Sequence, residues 1–126
     1  MTSSALAGLE LLATAVMLVE EGGAVRYVNP AAENLLKVSS RNAHGMALDA
    51  LFPGNAELDA AIAHARENKA TYTEHDLEFA LDDAKLRLSC TVTPVEVADG
   101  AHEACFLLEF RHIEQQLKIA REERIL

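Results

Sequence analysis

Apolar and polar positions alternate cleanly in the second half of the chain. Leu77, Phe79 and Leu81 oppose Glu74, Asp76 and Glu78, which predicts a strand over Tyr72 to Leu81 with one buried face. Lys85 to Val97 is the next strand, with Leu86, Leu88, Cys90 and Val92 alternating with Arg87, Ser89, Thr91 and Thr93. A bulge is expected in it near Pro94, because proline cannot donate to a ladder. Ala98-Asp99-Gly100 turns the chain, and Ala104 to about His112 returns with Phe106, Leu108 and Phe110 on one face. Near the start, Ala15 to Glu20 and Ala24 to Val28 read as a hairpin around Glu21-Gly22-Gly23, where positive φ suits glycine.

Helical spacing fills the rest. Ser3 or Ser4 can cap a first helix with Leu6, Leu9, Leu12 and Ala13 on one stripe. Asn29-Pro30-Ala31-Ala32-Glu33 is the strongest helix start, a capping side chain followed by proline at the first helical position. Between Val38 and Gly54 the signals break into short turns. Asn55 then caps a helix running to about Asn68, with Leu58, Ala61, Ile62 and Ala65 as its core stripe and opposite charges at its ends. The tail from Ile113 to Leu126 is helical. Five antiparallel strands with a mid-chain helix cluster make an α+β domain. The expected divisions are 1–14 as a flanking helix, 15–112 as the domain body and 113–126 as a linker helix.

Length and charge narrow the function. The 126 residues suit one domain. A net charge of −9 repels phosphate backbones and anionic lipid, so no nucleic-acid or membrane partner is expected. No apolar run reaches the roughly 18–20 residues of a membrane span. Met1-Thr2-Ser3-Ser4 has no positive charge ahead of an apolar stretch, so no signal or transit peptide is read, and the expected location is cytoplasmic. In-register pairing of the last two strands would send Cys90 and Cys105 to opposite faces of one sheet, so both are expected as free thiols.

The element order, with Asn29-Pro30-Ala31-Ala32-Glu33 after the second strand, resembles the PAS domains over nearly the whole chain. Further stretches are similar to the sensor domains of nitrogen-regulation histidine kinases of the NtrB (NRII) type. These are Leu12 to Val19, Val25 to Leu36, Gly45 with Leu48 and Leu51-Phe52, and Glu109 to Gln116. The resemblance implies a regulatory sensor module of a two-component kinase, with a PII signalling protein and an NtrC-type response regulator as partners of the whole kinase. This chain stops at Leu126, before any phosphoacceptor box, so it is expected to be the regulatory piece and not an enzyme. The alternatives are a PAS module of a cyclase or transcription activator, or a small ligand-binding or isomerase-like α+β domain. An isomerase needs an inward acid or histidine, and the inward strand positions are apolar or thiol.

No cofactor and no metal site is expected. His44, His64, His75, His102 and His112 lack ligand spacing. Haem-binding relatives place their axial histidine about where Ala60 falls, a turn before His64, and the Asn-Cys-Arg motif of flavin-binding relatives is missing. An apolar pocket between sheet and helices would be lined by Leu35, Leu36, Leu51, Phe52, Ile62, Leu88, Cys90 and Phe106. With no convergent polar group among them, core filling is the expected role. A homodimer is expected through Leu6, Leu9 and Leu12 of the first helix together with Cys105 and Leu107 on the outer face of the sheet. Ile113, Leu117 and Ala120 form the seam of an outgoing signal helix, which Arg124 breaks one step later.

Overall fold

The run Ala15 to Val19 has no polar residue on either side of its alternation, so the strand it forms must be covered on both faces. In a computed structural model, which describes residues 13–81, 84–97 and 103–113, all five of these residues are buried. They belong to strand β1 (Ala15–Glu20), which turns through Gly22-Gly23 into β2 (Val25–Val28). Gly23 takes φ +98°, and the Glu20 amide donates to the Ala24 carbonyl at 2.8 Å to close the turn. Helices α1 (Pro30–Leu36), α2 (Ser40–Ala43), α3 (Leu48–Leu51) and α4 (Ala56–Asn68) follow. Strands β3 (Tyr72–Leu81), β4 (Ala84–Val97) and β5 (Glu103–His112) complete the domain. The expected α+β layout is the one observed. The first helix, with Leu6, Leu9 and Leu12, lies outside the described residues, as does the tail after Ile113.

The sheet order is β2-β1-β5-β4-β3, antiparallel throughout, so the last strand closes the sheet at its centre. The helices cover one face, and the core lies between. Leu58, Ala61, Ile62 and Ala65 of α4 are buried as their spacing predicts. Phe79 stands edge-on to Phe52 at 5.1 Å and to Phe110 at 5.9 Å, which ties helix layer, β3 and β5 together.

Two strand details depart from or refine the sequence reading. Pro94 sits in an unbroken register with β5, opposite Phe106, and not in a bulge. The pairing of β3 ends at Tyr72 opposite Val92, so β4 has a free edge at Pro94 and the missing donor is tolerated there. The irregularities fall instead between Leu18 and Val19 and between Glu74 and Leu77. Cys90 opposes Phe110 and Cys105 opposes Val95, which places the free thiols on opposite faces as expected.

Asn29 does more than cap α1. Its Oδ1 accepts from the Ala32 amide and from the Val16 amide, both at 2.9 Å, and its Nδ2 donates to the Thr14 carbonyl at 2.8 Å. The side chain is fully buried, so each of these groups would lack water as a substitute. Asn29→Ala is expected to destabilise the fold by about 3 kcal/mol in urea unfolding, the cap plus two buried orphans. Asn29→Ser should recover only the capping share of about 1 kcal/mol. Full recovery by serine would show that the ties to β1 carry no stability.

Candidate functional site

Phe110 of β5 pairs with Ala15 on one side and Cys90 on the other, so the lead-in to β1 and the end of β5 lie side by side. Beyond them His112 pairs with Leu88, and Ile113 is already helical. Helix α1 ends above this junction with Lys37 in a left-handed conformation, φ 57°, its amide bonded to the Glu33 carbonyl. The Glu33 carboxylate in turn accepts from the Ser40 amide at 2.8 Å and fixes α2 relative to α1. A cleft of about 760 Å³ opens between these elements. Ala15, Ala31, Leu35, Leu86 and Phe110 supply its apolar wall, and Asn34, Lys37, Arg111 and His112 its polar rim. The Arg111 guanidinium itself lies 3.8 Å from the carboxylate of Glu109, two residues back on the face of β5 opposite to the one that α1 covers.

The residues expected around an apolar pocket are dispersed. Leu36, Phe52, Ile62, Leu88, Cys90 and Phe106 are core side chains, and Leu35 and Leu51 pack against them half-buried. Leu35 lines the junction cleft. Phe52 borders a separate cleft of about 430 Å³ beside Phe79 and Lys85. Phe106 borders a third, of about 370 Å³, beside Arg66 and Cys105. Arg66 caps the Phe106 ring at 5.4 Å and donates to the Glu21 carbonyl at 3.1 Å.

The titratable groups are spread as well. His64 is exposed on α4, its ring 4.2 Å from that of Tyr72 and within 3.2 Å of the Asn68 amide. His44 and His75 are exposed, and His102 lies outside the described residues. Among the described residues no three histidine, cysteine, aspartate or glutamate side chains converge. Asp49 of α3 and Asp59 of α4 do meet. Desolvation first, then the hydrogen bond and charge of Asp49, raise the Asp59 carboxyl above its usual range. Burial pushes the Cys90 thiol far above its ordinary 9.0, with the Glu109 charge adding to the effect.

On the outer sheet face, Cys105 is 1% exposed and closed off within its own chain, while Leu107 is half-buried. Ile113 is half-buried; Leu117 and Ala120 lie outside the described residues. Sequence reasoning missed the cationic rim and the Asp49–Asp59 pair. Both join residues from distant elements, and the register of β5 against β1 brings the end of β5 beside α1.

The family profile described as PAS fold matches residues 9–116. The chain is 32% identical over 122 residues to the sensory histidine kinase/phosphatase NtrB of Vibrio alginolyticus, covering 96% of this chain and 34% of that protein. It is 30% identical over 118 residues to NtrB of Escherichia coli O157:H7, covering 91% and 31% respectively. The chain thus spans about one third of the length of these curated relatives. The crystal structure of the PAS domain of nitrogen regulation protein NR(II) from Vibrio parahaemolyticus is similar with a TM-score of 0.73. That likeness covers 89% of this chain and 100% of the other, at 29% identity.

The thiol geometry has two consequences. At pH 8 the native chain should leave both thiols unreacted with Ellman's reagent over minutes, while the urea-unfolded chain releases two equivalents. Rapid reaction of one thiol in the native state would contradict the burial. Above pH 9 the unfolded chain loses the Cys90 proton and the folded chain keeps it, so stability falls as pH rises. Relative to Cys90→Ala, the wild type should lose about 1.4 kcal/mol per pH unit there, read by unfolding curves at stepped pH.

Proposed function

The chain belongs to the PAS fold family, and from that we propose that it is the regulatory sensor module of a two-component nitrogen-regulation histidine kinase. It would act as a cytoplasmic homodimer that relays a signal from the sheet, residues 15–112, through a linker helix, residues 113–126, to a kinase core. On this reading the chain has no catalytic residue of its own. Likeness to the NtrB kinases over nearly the whole chain supports the parent protein, and a PII signalling protein and an NtrC-type regulator would be the partners of that parent. The buried polar side chains among the described residues are Asn29 and Ser89, neither of them an acid or base, which favours a sensor over an isomerase-like enzyme.

The observation that carries the relay is the central place of β5. The strand is paired with β1 from Cys105 to Phe110 and with β4 from Glu103 to His112, and it runs to His112 with no glycine or proline before the tail. A shift of the sheet therefore reaches Ile113 through hydrogen-bonded backbone, where a flexible linker would dissipate it. Dimer contact would pass over Leu107, half-buried opposite Leu18 and Thr93, together with the first helix. Cys105, closed within its own chain, would underlie that contact and not form it.

In the full-length protein, inserting one, two or three residues after Gln116 turns the downstream helix by about 100° per residue. The ratio of kinase to phosphatase activity should swing on the order of tenfold with the phase, a coupling of about 1.4 kcal/mol. An insert of seven should restore it. Activity indifferent to insert length would make the helix a tether and end the relay reading. Separately, Leu107→Arg should give a folded monomer by light scattering where the wild type is a dimer. A dimer that survives the substitution would move the interface elsewhere.

A further inference from the structure

Much of the outer face of the sheet, the one turned away from α1–α4, is open to water. On β3 Glu78 and Ala80 are exposed, and on β4 Thr91, Thr93 and Val95 are half-buried. On β1 the pattern reverses. Val16 is 1% exposed and Leu18 3%, although both point outward beside Glu109 and Leu107 of β5. Neither belongs to the core cluster that the four helices close. Tyr27, opposite Leu18 on β2, also points outward, and its hydroxyl is buried. Something within this chain covers β1 from outside, and among the described residues no helix lies on that side.

The burial pattern gives the width of the cover. Strands lie about 4.8 Å apart, so a cover centred on β1 that fades across β5 and β4 is the width of one helix, about 10 Å. The turns at 82–83 and 98–102 join β3 to β4 and β4 to β5, away from Val16. Residues 1–12 lead into β1, and residues 114–126 lead out of β5 at the same end of the sheet. Charge separates these two. Glu10 is the one charged side chain in 1–12, whereas six lie between Glu114 and Arg124. Laying those six on Val16 and Leu18 would strip their hydration. Length agrees: a helix over the span 4–12 is about 14 Å long, and Thr14 to Leu18 along β1 is about 13 Å. Its stripe of Leu6, Leu9 and Leu12 would leave Ser4 and Glu10 on the water side.

We propose that residues 1–12 fold back along β1 as a helical cap within the same chain, with Leu6, Leu9 and Leu12 set on Val16 and Leu18. The cap takes the β1 half of the outer face out of reach of a partner. What remains for a second copy is the strip of Leu107, Thr93 and Val95, together with the back of the cap. That consequence rests on the dimer reading. The cap does not, and its test works equally on a monomer.

Two measurements on the 126-residue chain test it. In the unsubstituted chain, methyl NOEs should join Leu9 and Leu12 to Val16 and Leu18. Their intensity relative to the diagonal should not change when labelled chain is mixed with a tenfold excess of unlabelled chain. The second uses a reporter thiol. In a Cys105→Ala chain, the thiol introduced by Val16→Cys should resist Ellman's reagent. Adding Leu6→Asp and Leu9→Asp should speed its reaction at least roughly tenfold, while Cys90, packed in the core, stays unreacted and shows that the sheet is still folded. Leu117→Asp in the tail should leave the reporter protected. Absence of the NOEs overturns the proposal. So does their loss on mixing, which would make a second copy the cover, and so does release of the reporter by Leu117→Asp, which would make it the tail.

Discussion

One buried amide ties the start of the helix layer to strand β1. Asn29 sits where the chain leaves β2 and turns into α1, a point at which the backbone must change direction under the core. A helix start there exposes amides that need acceptors, and β1 beside it has an amide and a carbonyl left over beyond its ladder with β2. An asparagine side chain has an acceptor able to take two donors and a donor of its own, so it satisfies the Ala32 amide, the Val16 amide and the Thr14 carbonyl together. The Asn29 amide adds a backbone bond to the Val16 carbonyl at 3.0 Å. Aspartate would lack the donor, and serine the reach. The helix layer is thereby referenced to β1, and everything that β1 pairs with inherits that position.

What β1 pairs with is the end of the chain. β5 arrives last in sequence and fills the gap between β1 and β4, so the sheet is open at its centre until the final strand is in place. That topology ties β1 to a partner at the far end of the domain, a long loop to close before the contact is rewarded. It also explains the apolar character of β1 on both faces. Val16 and Leu18 are buried on the side away from the helices, next to Glu109 and Leu107 of β5. Edge strands in the same sheet behave differently: β3 keeps Glu78 and Ala80 exposed and buries only the face with Leu77 and Phe79.

Elements governed by local chemistry were legible from the sequence. The β1–β2 turn, the Asn29 and Asn55 caps, the stripe of α4 and the alternation of β3 each depend on residues within one or two turns of each other, and each forms where the pattern places it. Helices α2 and α3 were visible only as broken signals, since four-residue helices owe their shape to the Gly23–Gly45 neighbourhood, where the Gly45 amide bonds to the Val25 carbonyl at 2.7 Å. Pro94 was misread as a bulge because its tolerance is set by where β3 stops, a fact about another strand. The apolar residues grouped as a pocket were rightly placed inward, but alternation says which face a side chain takes and not whether space remains beside it. For the same reason Cys105 was assigned to an open surface on parity alone, and the structure buries it. The tertiary work of Asn29 was hidden behind its local work, because a capping asparagine and a capping asparagine that also holds a strand read alike.

The same hub bears on how the junction would behave as a signalling element. From α1 the path runs through Asn29 to Thr14 and Val16, across the Ala15–Phe110 and Val16–Glu109 pairs, and out along Arg111 and His112. Most links in it are hydrogen bonds near 2.9 Å or ladder pairs, and such contacts translate together more readily than they deform. A tilt of α1 would therefore reach the end of β5 without first rearranging the packed interior around Phe79 and Leu88. On the proposed reading, this separates two demands. The interior can stay close-packed for stability, while the outward path is exposed along one side, at the cleft that Lys37 and His112 border. A sensor that took its input through the core would have to loosen the residues that keep it folded; one that takes it at the rim would not.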